Sequence, residues 1–126
     1  MKFVNPAGWP RPSGYSNGVI ENGFLFVSGQ VGWDEKGNFD PGLVAQIRQT
    51  LRNICAIIEA AAGKPEQIVR LTWYVTDRRA YKSQLAEIGA AYREIIGRHF
   101  PAMAVVEVSG LVEDDAQVEI EATVAI

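Results

Sequence analysis

Histidine and cysteine are nearly absent from this chain: His99 and Cys55 are the only ones in 126 residues. A lone thiol makes no internal disulfide, and such usage points to a reducing compartment, here read as the cytoplasm. With no closely spaced Cys or His pair there is no metal-ligating motif either, so no metal is expected. A basic excess is also lacking, since 12 Lys+Arg stand against 15 Asp+Glu for a net charge of −3. That balance offers no electrostatic footprint for a phosphate backbone and makes nucleic acid an unfavourable partner. No window approaches the 18 apolar residues of a membrane span, and Met1–Pro6 breaks its apolar character too early for a signal segment. Glycine-rich phosphate loops and a Gly-x-Ser-x-Gly elbow are missing as well.

What remains is a composition of 48% hydrophobic and 21% charged residues, the balance expected of one globular domain spanning 1–126. Its first 17 residues carry Pro6, Gly8, Pro10, Pro12 and Gly14 without helical or strand periodicity, and read as an arm. Regular structure is expected beyond it. Val19–Glu21 and Phe24–Ser28 flank Asn22-Gly23, a tight hairpin signal. Asp40-Pro41 reads as an N-cap with proline in the first turn, opening a helix whose Leu43, Ile47, Leu51, Ile54 and Ile58 recur at spacings of three and four. Gly63 and Pro65 supply its stop. Residues 68–76 alternate Leu71/Trp73/Val75 against Thr72/Tyr74/Thr76, a strand with two faces. Asp77 caps a second helix through Tyr81, Leu85, Ile88, Tyr92 and Ile95, ending at Gly97.

Met103–Val108 and Gln117–Ile126 read as two closing strands, the latter placing Glu119, Glu121 and Thr123 opposite Val118, Ile120 and Ala122. The order ββαβαββ predicts an α+β fold with both helices on one face of a mainly antiparallel sheet. The other face then lacks a cover, so self-association is expected.

Few residues carry chemistry by pattern alone. His99, beside Phe100-Pro101, reads as loop packing, and Cys55, near the helix stripe, as a small core hydrophobe. Trp9 and Trp33 fall in loops suited to lining a pocket or an interface, whereas Trp73 reads as sheet packing. Glu119 and Glu121 share a strand face near a strand end, with Glu107 expected on the neighbouring strand. A carboxylate there, in a partly dry cleft, is a candidate proton-transfer group.

Several segments agree in order and spacing with a known family: Ser13–Gly18, Phe26–Val31, Gln49–Ile54 with Ala60–Gly63, Val69–Asp77, Phe100–Ala102 and Val118–Ala122. From residue 13 onward the chain resembles the RidA family, also called YjgF or endoribonuclease L-PSP. The resemblance implies a chorismate-mutase-like fold, a homotrimer with clefts between neighbouring chains, and hydrolysis of reactive enamines or imines to a carbonyl compound and ammonia, without a cofactor. Such an activity is that of a 2-iminobutanoate/2-iminopropanoate deaminase-like hydrolase. By the same resemblance Glu119 activates water, Ser28 and Gly29 offer cleft groups, Tyr15 is the pocket tyrosine, and Gly89, Ala102 and Met103 border the small-molecule ligand.

Two departures bear on substrate. In the deaminase branch an arginine follows Phe-Pro-Ala and holds the substrate carboxylate; here Met103 stands in its place, and Gly89 stands where an asparagine is usual. Methionine offers no fork of donors, so a less cationic pocket and a non-standard imine are expected. Arg11 in the arm is a candidate replacement, whereas Arg48 and Arg52 belong on the outer face of the first helix. A non-catalytic small-molecule sensor on the same trimer is the rival reading. The endoribonuclease and translation-inhibitor labels attached to the family are a third, opposed by the charge balance.

Overall fold

The computed structural model describes residues 1–126. Six strands form one sheet: β1 (Lys2–Val4), β2 (Gly18–Glu21), β3 (Phe24–Val31), β4 (Ile68–Val75), β5 (Ala102–Glu107) and β6 (Val118–Ala125). Their spatial order is β1-β2-β3-β6-β4-β5. Only the β4–β5 edge is parallel; the other pairs are antiparallel. Three helices, α1 (Leu43–Ala60), α2 (Arg78–Ser83) and α3 (Leu85–Ile95), cover one face. This is the expected α+β architecture. No helix is long and apolar enough to cross a membrane.

The hairpin turns as its sequence demands, Asn22 and Gly23 both taking positive φ (51° and 80°). Other boundaries differ, each for a local reason. Inside the expected arm, Lys2–Val4 pairs with Ile20–Gly18, because three residues suffice to satisfy a free strand edge yet are too few to show a period. The first helix starts at Leu43, not at Pro41: the Asp40 carboxylate accepts the Gly42 N–H at 2.8 Å, forming a turn ahead of the helix, and Gly42 is the N-cap. The expected second helix is two. Ser83 Oγ and Gln84 Nε2 both donate to the Ala80 carbonyl, at 3.0 and 3.1 Å, and occupy the acceptor a continuous helix would use. Asp77 does cap α2, accepting the Arg79 and Ala80 N–H groups.

The core lies between α1 and the sheet, with Ile47, Leu51, Ile54, Leu71, Val118 and Ile120 fully buried. Polar pins fix the helix on the strands. Buried Gln46 donates to the Asp40 and Asp115 carbonyls at 2.8 and 2.9 Å and accepts the Gln117 N–H at 2.8 Å. Asn53 donates to the carbonyls of Val31 and Trp33. Approach this close requires glycine at the end of β3, since a Cβ at Gly32 would stand 2.6 Å from Gln46 O and 2.9 Å from Gln46 Cα. Gly32→Ala is therefore expected to cost about 1–3 kcal/mol of stability, read as a lower denaturation midpoint at unchanged slope.

The opposite face of the sheet is uncovered within one chain. Phe3, Val19, Phe26 and Thr123 form a row across it by strand register, with Phe3 64% and Phe26 48% exposed. Tyr74 and Thr72 lie on the same face, while Leu71, Trp73 and Val75 are buried beneath the helices.

Candidate functional site

Glu119 sits on the open face near the start of β6, opposite Val31 of β3 and Tyr74 of β4. Its seat comes from an irregularity in β3, where the register shifts between Val27 and Gln30. There Ser28 and Gly29 together stand against the single Glu121 of β6, and the Glu119 carboxylate lies against Gly29: a Cβ on Gly29 would stand 2.8 Å from Glu119 Oε2. Ser28 Oγ accepts from Gln30 Nε2 at 3.2 Å, and the Ser28 N–H donates to the Asn17 carbonyl at 2.9 Å. Partial burial, reinforced by the charge of Glu121, raises the Glu119 pKa above the usual carboxylate value. The two acids differ in engagement. Glu121 accepts a 2.8 Å hydrogen bond from the Tyr74 hydroxyl, a bond that also raises the Tyr74 pKa, whereas Glu119 has no hydrogen-bond partner in the chain.

Glu107 does not join them, because β4 lies between β5 and β6. Its carboxylate instead accepts the Arg78 N–H at 2.9 Å and helps to anchor α2.

Met103 and Gly89 meet elsewhere, on the helix-covered side, in a cavity of about 280 Å³ between α3 and β5. Trp73, Ile88, Tyr92 and Phe100 supply its apolar walls. Tyr92 and Phe100 stack at 5.9 Å, and Trp73 meets Tyr81 edge-on at 6.3 Å. Tyr92 also donates through its hydroxyl to the His99 carbonyl, while His99 Nε2 is 2.7 Å from the Ile68 carbonyl. His99 thus braces the loop that carries Phe100. Ala102 is not in this wall; it pairs with Arg70 at the start of β5.

Tyr15 occupies a third place, a cavity of about 660 Å³ between the arm and the β3–α1 connection, with Trp9, Arg11 and Trp33 around it. Arg11 therefore stays out of the Met103 cavity within one chain. Arg48 and Arg52 pair with Glu94, at 3.1 and 3.6 Å, outside the Met103 cavity, and Arg52 also lines the Tyr15 cavity. The arginine that reaches Met103 is one the pattern reading overlooked, Arg93 of α3, which lines the same cavity. Its signal was in the sequence: Gly89 lies one helical turn earlier on the same face of α3. The less cationic pocket expected from Met103 thus has one arginine, Arg93, in its lining. Cys55 is half-buried and its thiol pKa is pushed up to about 11 by burial, with Glu59 and Glu66 adding to the shift, which removes it as a nucleophile.

The family model described as Endoribonuclease L-PSP matches residues 10–126. This chain belongs to the RidA/YjgF family. A RutC family protein of Aquifex aeolicus is 42% identical over 96% of both chains. The 2-iminobutanoate/2-iminopropanoate deaminase of Salmonella typhimurium is 38% identical, over 86% of this chain and 84% of its own. Among solved structures, RidA from an Antarctic Psychrobacter superposes with a TM-score of 0.86 at 29% identity over the whole of both chains. The YjgF gene product of Escherichia coli gives 0.85 at 34% identity, covering 99% of this chain and 98% of its own. Within the RidA fold described above, the residues singled out from the sequence fall into a carboxylate group on the open face, an apolar cavity on the helix side, and Tyr15 under the arm.

Proposed function

We propose that the protein is a cytoplasmic homotrimer that hydrolyses reactive enamines or imines at sites shared between neighbouring chains. One observation carries the reading. Glu119 and Met103 lie on opposite faces of one sheet, so a single ligand can meet both only when a second copy brings its open face against the cavity of the first. The uncovered apolar row through Phe26 gives the copies a reason to associate, and the deaminase activity named for the 38%-identical relative gives the chemistry.

An imine carbon is already electrophilic, so the protein needs only to hold it and manage protons. Glu119 takes a proton from water as the water oxygen bonds to the imine carbon, and passes that proton to nitrogen to give a carbinolamine. It then takes the carbinolamine hydroxyl proton and delivers it to nitrogen as the C–N bond breaks, so ammonia leaves and a carbonyl compound remains. A carboxylate without internal hydrogen bonds and with a raised pKa suits both halves of that exchange. Gly29 keeps the approach open beside it, with Ser28 at the same bulge. Met103 and Phe100 offer an apolar, polarisable wall, so the preferred imine carries a side chain that packs there and differs from that of arginine-bearing relatives.

The test generates 2-iminobutanoate and bulkier or carboxylate-free imines in situ with an amino-acid or amine oxidase and follows carbonyl formation against spontaneous hydrolysis. Acceleration of at least one, with a preference order unlike that of an arginine-bearing relative, is expected. No acceleration of any would contradict the reading and leave a binding protein.

A further inference from the structure

The Met103 cavity is lined by two donors that no group of the chain satisfies, the guanidinium of solvent-exposed Arg93 and the buried indole N–H of Trp73. Arg93 is the only charged residue in its wall, and its guanidinium makes neither an ion pair nor a hydrogen bond with any group of the chain. Glu94, the next residue on α3, pairs with Arg48 and Arg52. Trp73, 1% exposed and part of the same wall, has an indole N–H that is the one buried side-chain polar atom without a partner. An orphaned buried donor is costly, and an acceptor bound in the cavity would satisfy it, while Arg93, hydrated when the cavity is empty, is free to meet the same group. No carboxylate lines the cavity to serve.

Gly89 explains how the guanidinium gets there. Residues one turn apart are stacked on a helix face, and a Cβ at Gly89 would stand 3.1 Å from Arg93 Nη1. The glycine thus leaves the space over which the arginine lies, at some cost in helix stability relative to alanine. A planar fork of donors fits a carboxylate in two-point contact.

We propose that Arg93, seated across Gly89, is the carboxylate-binding and specificity-determining group of the Met103 cavity, with the Trp73 indole N–H as a further donor. This builds on the imine-hydrolase reading but stands apart from it in test. Two readouts are paired on wild type, Arg93→Ala and Arg93→Lys, each checked for fold by circular dichroism. The first is calorimetric binding of 2-oxobutanoate against its carboxylate-free counterpart, butanone. The second is kcat/KM for 2-iminobutanoate divided by that for a carboxylate-free imine.

Arg93→Ala is expected to weaken 2-oxobutanoate binding by roughly 10- to 100-fold and to lower the ratio by a similar factor, mainly through KM; Arg93→Lys recovers part of both. If Arg93→Ala leaves 2-oxobutanoate affinity and the substrate ratio within twofold of wild type, the assignment is overturned while imine hydrolysis stands. Arg93-dependent binding of 2-oxobutanoate by a wild type that hydrolyses no imine would keep the assignment and remove the enzyme reading.

Discussion

Glu119→Gln is expected to lower imine hydrolysis by about 10²- to 10⁴-fold with little change in ligand affinity, because the amide keeps the shape of the side chain but carries no proton between water and nitrogen. Turnover within threefold of wild type would take Glu119 out of the mechanism. The pH profile gives a second handle. Its pKa is raised by burial, then by Glu121, so the ionised, base-competent form appears only above the ordinary value of 4.5, and the acid limb of kcat/KM should be displaced upward from there. The same shift has a stability consequence of opposite sign. Folding favours the protonated acid, so the penalty is absent below the unfolded-state pKa and fully present above the folded one. Glu119→Gln should therefore unfold at a higher temperature than wild type at pH 7, and this gain should vanish as the pH falls below 4.5. A gain independent of pH would contradict that origin.

Phe26→Glu should separate the copies and with them the activity. Phe26 lies mid-row on the uncovered face, between Val19 and Thr123 by register, and is 48% exposed in a single chain. An acid at this position is tolerated by the isolated subunit, whose open face meets water. Buried against another copy it is an unpaired charge, and a cost of several kcal/mol weakens each contact about a thousandfold or more. Light scattering should show wild type as a trimer and Phe26→Glu as a monomer with unchanged circular dichroism and no imine turnover. An active monomer, or a variant that stays trimeric, would contradict the shared-site account.

The elements that could be read from sequence were those fixed by local rules. Asn22-Gly23 turned where its chemistry requires, α1 followed its apolar stripe, and the two faces of β4 separated at Leu71/Trp73/Val75 as alternation demands. Misses arose where side chains compete with the backbone or where pairing is long-range. Ser83 and Gln84 break a helix that periodicity alone would run through, and Lys2–Val4 is a strand only because β2 offers an edge. At the candidate site, residue identities were legible but their relative placement was not. Sheet order puts β4 between Glu107 and Glu119, and no local pattern reports strand order. Arg93 carries no signal as one more charged residue on a helix surface; only its pairing with Gly89, one turn earlier on α3, marks it.

Complementation between two inactive variants tests the central claim most directly, since it asks whether one site draws on two chains. Glu119→Gln retains the cavity, and Met103→Trp, which fills the cavity, retains the carboxylate. Each is purified, shown to be inactive, and the two are unfolded together and refolded at equal ratio. If the sites lie between chains, random mixing makes about one quarter of them intact, each with Glu119 from one subunit and an open Met103 cavity from its neighbour, and activity returns to about that fraction of wild type. If each site lies within one chain, every site keeps a lesion and the mixture stays as inactive as its parents.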